Sequence, residues 1–380
     1  MNPRHLVDTT VFYSPTSGGV RRYLAAKHTW LAAQPGWQHT LLVPGAAQRI
    51  ERGGVSTLTG VPVPGTFNYR LPLNPRLWAR QLDALAPDLI EAGDAFHPAW
   101  ATWQVARRRG IPCAAFCHSN LPRIAGRRFG SLSERLLSRY LRELYGKFDV
   151  VFAPSRLMLD FLASLGIRHV VRQPLGVDAR VFHPCRRGPW LRGRLGLGSA
   201  ARVLVYAGRF SSEKNLPVLL RTFAALGRPY HLLLIGGGRA ARLAPNVTRV
   251  PYRRDSIELA CWLASADALV HAGTLETFGL IVLEAMACGR PVVAARAGAI
   301  PELVDERCGL LSEPGDSASL ADAVAALYER DMEALGAHAR AQVLRLFTWS
   351  RVLEGQLSVY RALLARESTT VLEQQLAHAG

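Results

Sequence analysis

The sequence predicts an α/β protein built from two Rossmann-like parallel-sheet domains facing a cleft. Three observations carry that expectation. Short, nearly continuous apolar runs alternate with helical patterns along the chain, as parallel strands buried on both faces require. At 380 residues the chain is too long for one comfortable core, and about two domains are expected. Between the halves, around residues 174–200, runs "PLGVDARVFHPCRRGPWLRGRLGLGS". It is rich in Pro, Gly and Arg, lacks clean periodicity, and reads as a linker.

Taken in order, the strand candidates of the first half are "HLVDTTVFY", "HTLLVPG", "DLIEAGD", "PCAAFCHS" and "VVFAPS". Those of the second are "ARVLVYAG", "HLLLIGGG", "VTRVPY", "ALVHAG", "PVVAARAG" and "CGLLSE". This gives a first domain over 1–175 and a second over 176–354, with a helical tail, 355–380, packing back on the first. One helix stands out, "SLSERLLSRYLRELYGKF". Ser131 and Glu134 have capping-box spacing. Leu136, Leu137, Tyr140, Leu141, Leu144 and Tyr145 share one face. Arg135, Arg139, Arg142 and Lys147 decorate the rest, and Arg123, Arg127 and Arg128 lie just upstream. The segment reads either as a surface helix on its sheet or as a patch for anionic membrane.

The formal net charge is +17. Only Lys27, Lys147 and Lys214 are lysines; every other basic residue is arginine. So positive a field attracts nucleotide phosphates, anionic lipid or nucleic acid. Nucleic acid is the weakest of these, because basic residues are not interleaved with aromatics as strand binding needs. Cys113, Cys117 and His118 lack the spacing of a zinc site, and no second cysteine pair follows. No stretch approaches the roughly 18 apolar residues of a spanning helix, and no secretory h-region is visible. The expectation is a reduced, cytoplasmic protein, soluble or peripheral on the inner face of the membrane.

Four motifs carry chemistry. "HAGTLETFGLIVLEAMACGRPVVAARAG" places Glu276 in a loop after a strand and Glu284 about one turn inside the following helix. The free N–H groups of that helix, from Gly279 to Ile281, form an anion site. Amides for a phosphate between two carboxylates for diols suit a nucleotide sugar; a capped or salt-bridged glutamate pair is the alternative. "YAGRFSSEKNLPVLL" puts Arg209 and Lys214 on a strand-to-helix loop, where a bidentate fork and a compact ammonium suit phosphates. "SPTSGGVRRYL" places Gly18 and Gly19 before a helix, where glycine lets backbone approach a ligand. "FCHSNLPR" ends a strand at His118. A competing dinucleotide fingerprint, Gly236, Gly238 and Ala241, follows the second strand of its half rather than the first, and lacks the acidic residue expected after the next strand.

Together these residues resemble the retaining glycosyltransferases of the GT-B fold, family 4, over nearly the whole chain. "ETFGLIVLEAMACGRPVVA" is similar to the family's E-x7-E segment, "GRFSSEKN" to its phosphate clamp, "QPLGVDARVFHP" to the entry into its second domain, and "SGGVRRYL" to its glycine loop. The resemblance implies that Glu284 binds the donor ribose. It implies that Glu276 contacts the transferred sugar beside the backbone amides of Phe278, Gly279 and Leu280. Arg209 and Lys214 would neutralise the leaving diphosphate, Gly19 in the Gly18–Gly19 loop would offer it an amide, and His118 would sit over the reacting sugar. No cofactor is implied beyond the nucleotide-sugar co-substrate. No metal is implied either, since a D-x-D is missing. UDP-glucose-type and GDP-mannose-type donors are both open, as are lipid, glycan and small-molecule acceptors. The alternative is a same-fold epimerase or phosphorylase. The chain has "HAG" where the family often has Pro-Ser before the acidic loop.

Overall fold

A computed structural model of the chain describes residues 3–14, 18–64, 69–72, 74–237 and 243–366. The chain folds as two compact units. The strands, in chain order, are β1 (Arg4–Thr9), β2 (Trp37–Gly45), β3 (Val55–Thr59), β4 (Val61–Pro62), β5 (Arg70–Leu71), β6 (Leu89–Ala92), β7 (Cys113–Phe116), β8 (Val150–Ala153) and β9 (Val170–Arg172). They continue with β10 (Arg202–Ala207), β11 (Tyr230–Ile235), β12 (Val247–Val250), β13 (Ala268–His271), β14 (Val292–Ala295) and β15 (Gly309–Ser312). The first unit holds a seven-stranded sheet ordered β3-β2-β1-β6-β7-β8-β9, and β4 and β5 form a small antiparallel ribbon. The second holds a six-stranded sheet ordered β12-β11-β10-β13-β14-β15. All pairings within these two sheets are parallel.

All eleven expected strands form. β3 and β9 escape the sequence pattern because they are short edge strands, only partly buried, where burial no longer demands an unbroken apolar run. Each sheet reverses its strand order at one place, between β1 and β6 and between β10 and β13. Such switch points open a crevice at the carboxyl ends of the strands.

The first unit comprises residues up to Pro174 together with Trp349 onward, and the second runs from Leu175 to Thr348. The return thus falls at Trp349, six residues before the expected 355. Residues 175–200 are an ordered part of the second unit. The Val177 N–H donates to Phe347 O at 2.8 Å, and Arg192, on the short helix Trp190–Arg194, grips both oxygens of Asp267 at 2.9 Å.

The capping box at Ser131 does not form. The chain turns from helix Leu121–Phe129 into helix Ser131–Tyr145 through Gly130 alone, at φ +86°. Ser131 is therefore already helical, and no side chain caps that end. A box needs its serine in the extended position before the helix. Leu141, Leu144 and Tyr145 are buried, but Leu136 is exposed. Among the described residues no helix is long and apolar enough to cross a membrane.

The final helix, Trp349–Ala365, is fastened to the first unit by a buried polar cluster. Lys27, on helix Gly19–Ala32, donates through Nζ to Asp8 Oδ1 and Glu91 Oε1, both at 2.9 Å. Glu91 also accepts from Gln356 Nε2 at 3.2 Å and from the Tyr360 hydroxyl. Tyr23 donates to Glu91 at 3.2 Å, and His39 Nε2 lies 3.1 Å from Asp8. Burial pushes both carboxyls up and the Lys27 ammonium pulls both down; Asp8 ends below its ordinary value and Glu91 above it. Removing one partner of such a buried pair strands the others without solvent. Lys27→Met should therefore cost about 3–5 kcal/mol of stability. Urea denaturation followed by circular dichroism checks this, and a cost within 1 kcal/mol (about the worth of an exposed pair) would show that the charge is dispensable.

Candidate active site

The second unit's switch point gathers most of the sequence-derived residues. Beyond β10 the chain runs through Arg209 into a 3-10 turn, Ser212–Lys214, then through Asn215 at φ +51° into helix Leu216–Leu226. Beyond β13 it runs through Glu276 into helix Leu280–Ala287. The two loops are joined. The Thr274 N–H donates to Glu213 O at 3.2 Å, and the Lys214 ammonium donates to Glu276 Oε1. His271 Nε2 reaches the same Oε1 at 3.0 Å. Burial pushes the Glu276 carboxyl up, but the Lys214 charge and the His271 hydrogen bond outweigh it and hold it well below the usual carboxylate range. Glu276 is therefore anionic at any working pH.

The loop's backbone is fixed as tightly as its side chain. The Ala299 N–H donates to Glu276 O at 2.9 Å. Gly298 packs so closely that a Cβ there would lie 2.5 Å from Glu276 O. Gly279 caps the helix at φ +103°, where a side chain is strained. Phe278 is buried against Phe347, Leu280 opens the helix, and Glu284 is buried at its fifth position. Burial, and then the Glu284 charge, push the Cys288 thiol up to about 12, which removes it as a nucleophile.

Arg209 lies at the start of the same loop, just beyond β10. Its carbonyl accepts from the buried Tyr206 hydroxyl at 2.7 Å, which fixes the loop. Its half-exposed guanidinium pairs with Glu213 at 3.8 Å. Gly236, from the competing fingerprint, has a structural reason: a Cβ there would lie 2.0 Å from Gly208 O. Gly238 and Ala241 lie outside the described residues.

The other sequence-derived residues belong to the first unit. Gly18 precedes, and Gly19 opens, helix Gly19–Ala32, and both are exposed. Gly18 has φ −84°, and no described residue lies within 4 Å of a Cβ built there. His118 follows β7. Its ring stacks on Phe116 at 4.0 Å and meets the Tyr23 edge at 5.4 Å. Burial, with the Lys27 charge adding, lowers it to about 3, so it is a neutral imidazole at pH 7. Sequence reasoning missed two residues. His271 ends its strand like any apolar neighbour, although its place three residues into "LVH" before a polar loop was a signal. Asp94, buried in the loop after β6, accepts from Val11 N, Thr10 Oγ1 and Phe96 N at 2.6, 2.8 and 2.9 Å and ties the ends of β1 and β6 together.

Two parallel sheets, each with a switch point, are the architecture of the GT-B fold class. Two family descriptions match the chain: "Glycosyltransferase Family 4" over residues 17–181 and "Glycosyl transferases group 1" over residues 201–330. A GDP-mannose-dependent alpha-(1-6)-phosphatidylinositol dimannoside mannosyltransferase of Mycobacterium tuberculosis is 30% identical, over 94% of this chain and 96% of its own. A GDP-mannose-dependent alpha-mannosyltransferase of the same organism is 32% identical over 76% of this chain and 77% of its own. Sucrose-phosphate synthase from Thermosynechococcus elongatus superposes with a TM-score of 0.81 at 23% identity, over 96% of this chain and all of the other. The chain belongs to glycosyltransferase family 4, and it is a glycosyltransferase that uses a nucleotide-sugar donor.

The depressed His118 gives a test of its packing. An unfolded histidine takes up its proton near 6.5, whereas folded His118 resists until about 3. The unfolded state therefore binds more protons in between, and the stability due to this ring, complete above about pH 6.5, is lost as pH falls. His118→Gln should show a smaller drop in melting temperature between pH 7 and pH 5 than the parent chain. Equal drops would mean that the ring is solvated.

Proposed function

We propose that this chain transfers mannose from GDP-mannose, with retention, to a hydroxyl of a lipid or glycan acceptor, and does so without a metal. The observation that carries the reading is the Lys214–Glu276–His271 cluster at the carboxyl ends of β10 and β13. It sets a fixed anion for sugar hydroxyls beside a cation for phosphate. Breaking the anomeric bond leaves negative charge on the diphosphate. Lys214, Arg209 and the amides opening helix Leu280–Ala287 would stabilise that charge, the part a metal plays elsewhere. Glu284, in the same helix, would hold the ribose. In the first unit the reading assigns the Gly18–Gly19 backbone to the diphosphate and the neutral His118 ring to the transferred sugar. Retention would follow from attack on the face the diphosphate leaves, with its oxygen taking the acceptor proton. A mannosyl donor is supported by the names of the two mycobacterial relatives.

The glutamates separate the steps. A hydrogen bond to a charged group is worth roughly 1.5–3 kcal/mol, so Glu284→Gln should weaken GDP binding by about tenfold or more in calorimetry. Glu276→Gln should leave GDP affinity nearly unchanged and lower GDP-mannose turnover, in EDTA-containing buffer, by around two orders of magnitude. Loss of GDP affinity equal to that of Glu284→Gln would overturn the division of roles. Activity abolished by the chelator and restored by magnesium would overturn the metal-free mechanism.

The same reading places the chain peripherally on an anionic membrane. Ile124, Phe129, Leu132 and Leu136 are 45, 70, 66 and 61% exposed along the two helices joined at Gly130. Arg123, Arg127, Arg128, Arg135 and Arg139 lie on the same helices. Apolar side chains set among arginines fit the boundary between acyl chains and acidic headgroups. Phe129→Ser with Leu136→Ser should reduce co-sedimentation with phosphatidylglycerol vesicles several-fold, and the parent's binding should fall with salt. Equal binding to phosphatidylcholine vesicles, or no change in the double variant, would refute this surface.

A further inference from the structure

Glu276 has a partner that the reading above leaves without a task. His271 is buried at the end of β13, with its ring tilted against Tyr206 at 6.1 Å. Its tautomer follows from its neighbours. The Gly273 N–H donates to Nδ1 at 3.2 Å, so Nδ1 carries the lone pair and Nε2 the proton. That proton faces Glu276 Oε1 at 3.0 Å. The ring reaches this place because residue 273 is glycine. A Cβ there would lie 2.5 Å from the imidazole Cε1, a separation at which the ring must shift. "HAG" is thus one device: the histidine supplies a fixed donor and the glycine supplies its room and its tautomer.

The contacts of the carboxylate from Lys214 and from His271 fall on the same oxygen. The two donors differ in how firmly they are held. Lys214 is a flexible ammonium, and a diphosphate carries more negative charge than a carboxylate, so the donor's phosphates would draw it. His271 is locked by its packing and cannot follow. We infer that His271 is a positioning residue: its Nε2–H fixes Oε1 of Glu276, turns Oε2 to the transferred sugar, and keeps the carboxylate in place when Lys214 engages the leaving diphosphate. The inference rests on the proposed role of Glu276 toward the sugar. It adds that the orientation of this anion is set by the strand end, whatever becomes of the ammonium.

His271→Phe keeps a ring and removes the donor; His271→Gln returns an N–H near the place of Nε2. Turnover is read as acceptor-independent hydrolysis of whichever of GDP-mannose and UDP-glucose the parent chain hydrolyses, beside calorimetry with the matching nucleoside diphosphate. His271→Phe should lower kcat by about tenfold, the scale of one hydrogen bond to a charged group. Nucleotide affinity should be unchanged, and His271→Gln should recover to within about threefold of the parent. In the Glu276→Gln background, His271→Phe should cost nothing further, because the group it positions is already lost. A near-parental kcat for His271→Phe, or losses that multiply in the double variant, would overturn the inference. Parental turnover in Glu276→Gln alone would instead overturn the reading on which it rests. Should the Phe variant fail to melt cooperatively, His271→Asn, whose amide stops short of Glu276, takes its place with the same expected loss.

Discussion

The first unit depends on one buried ammonium. Lys27 sits among two carboxylates, and the hydroxyls of Tyr23 and Tyr360 and the amide of Gln356 complete the shell. One cation cannot neutralise two anions, so the cluster holds its protons unevenly, with Asp8 kept ionised and Glu91 shifted toward its acid form. An apolar core of the same size would be as stable, but it would not select one helix. The polar shell does, because only a helix offering Gln356 and Tyr360 on one face satisfies Glu91. This is how the last helix is recognised by the unit that began the chain.

The second unit uses a lysine differently. Lys214 is partly exposed, its partner Glu276 is held by a second donor, and the pair lies at the end of the sheet rather than within it. The third lysine, Lys147, rests on the faces of Trp100 and Trp103. Each of the three lysines in this arginine-rich chain thus meets a partner that suits a compact charge: a buried carboxylate pair, an aromatic face, a loop carboxylate. The remaining basic charge is carried by guanidinium groups, many of them exposed.

How much of this was legible follows from the range of the interactions. The parallel strands could be read because each is apolar on both faces within a few residues. The glutamates of the 271–298 stretch could be singled out because a carboxylate amid "LIVLEAMACG" interrupts an apolar run. That Arg209, Lys214, Gly18 and Gly19 lie at the passage from a strand to the helix that follows could be read from the same alternation. The network of Lys27 could not, since Asp8, Lys27, Glu91 and Tyr360 are far apart in the chain and unremarkable singly. The role of His271 was hidden for a related reason: a histidine closing an apolar strand looks like core until the position of Glu276 is known. The capping box misled because spacing alone does not say whether a serine stands before its helix or within it, and the positive φ of Gly130 decided that. Gly236 fitted a nucleotide motif by sequence but is required by the closeness of Gly208.

The chain leaves its first unit at Pro174 and re-enters it at Trp349, and this has a consequence for synthesis. As the polypeptide emerges from the ribosome, the second unit is contiguous and has all of its residues once Thr348 has appeared. The first unit, begun earlier, still lacks the groups that satisfy Glu91, which lie 265 and 269 residues further along. Domains generally fold as units in the order of their synthesis, but here the order inverts: the later-made sheet is complete first, and the earlier one waits with a half-solvated glutamate. A message cut short near its end would therefore spare the second unit and lose the half that was translated first.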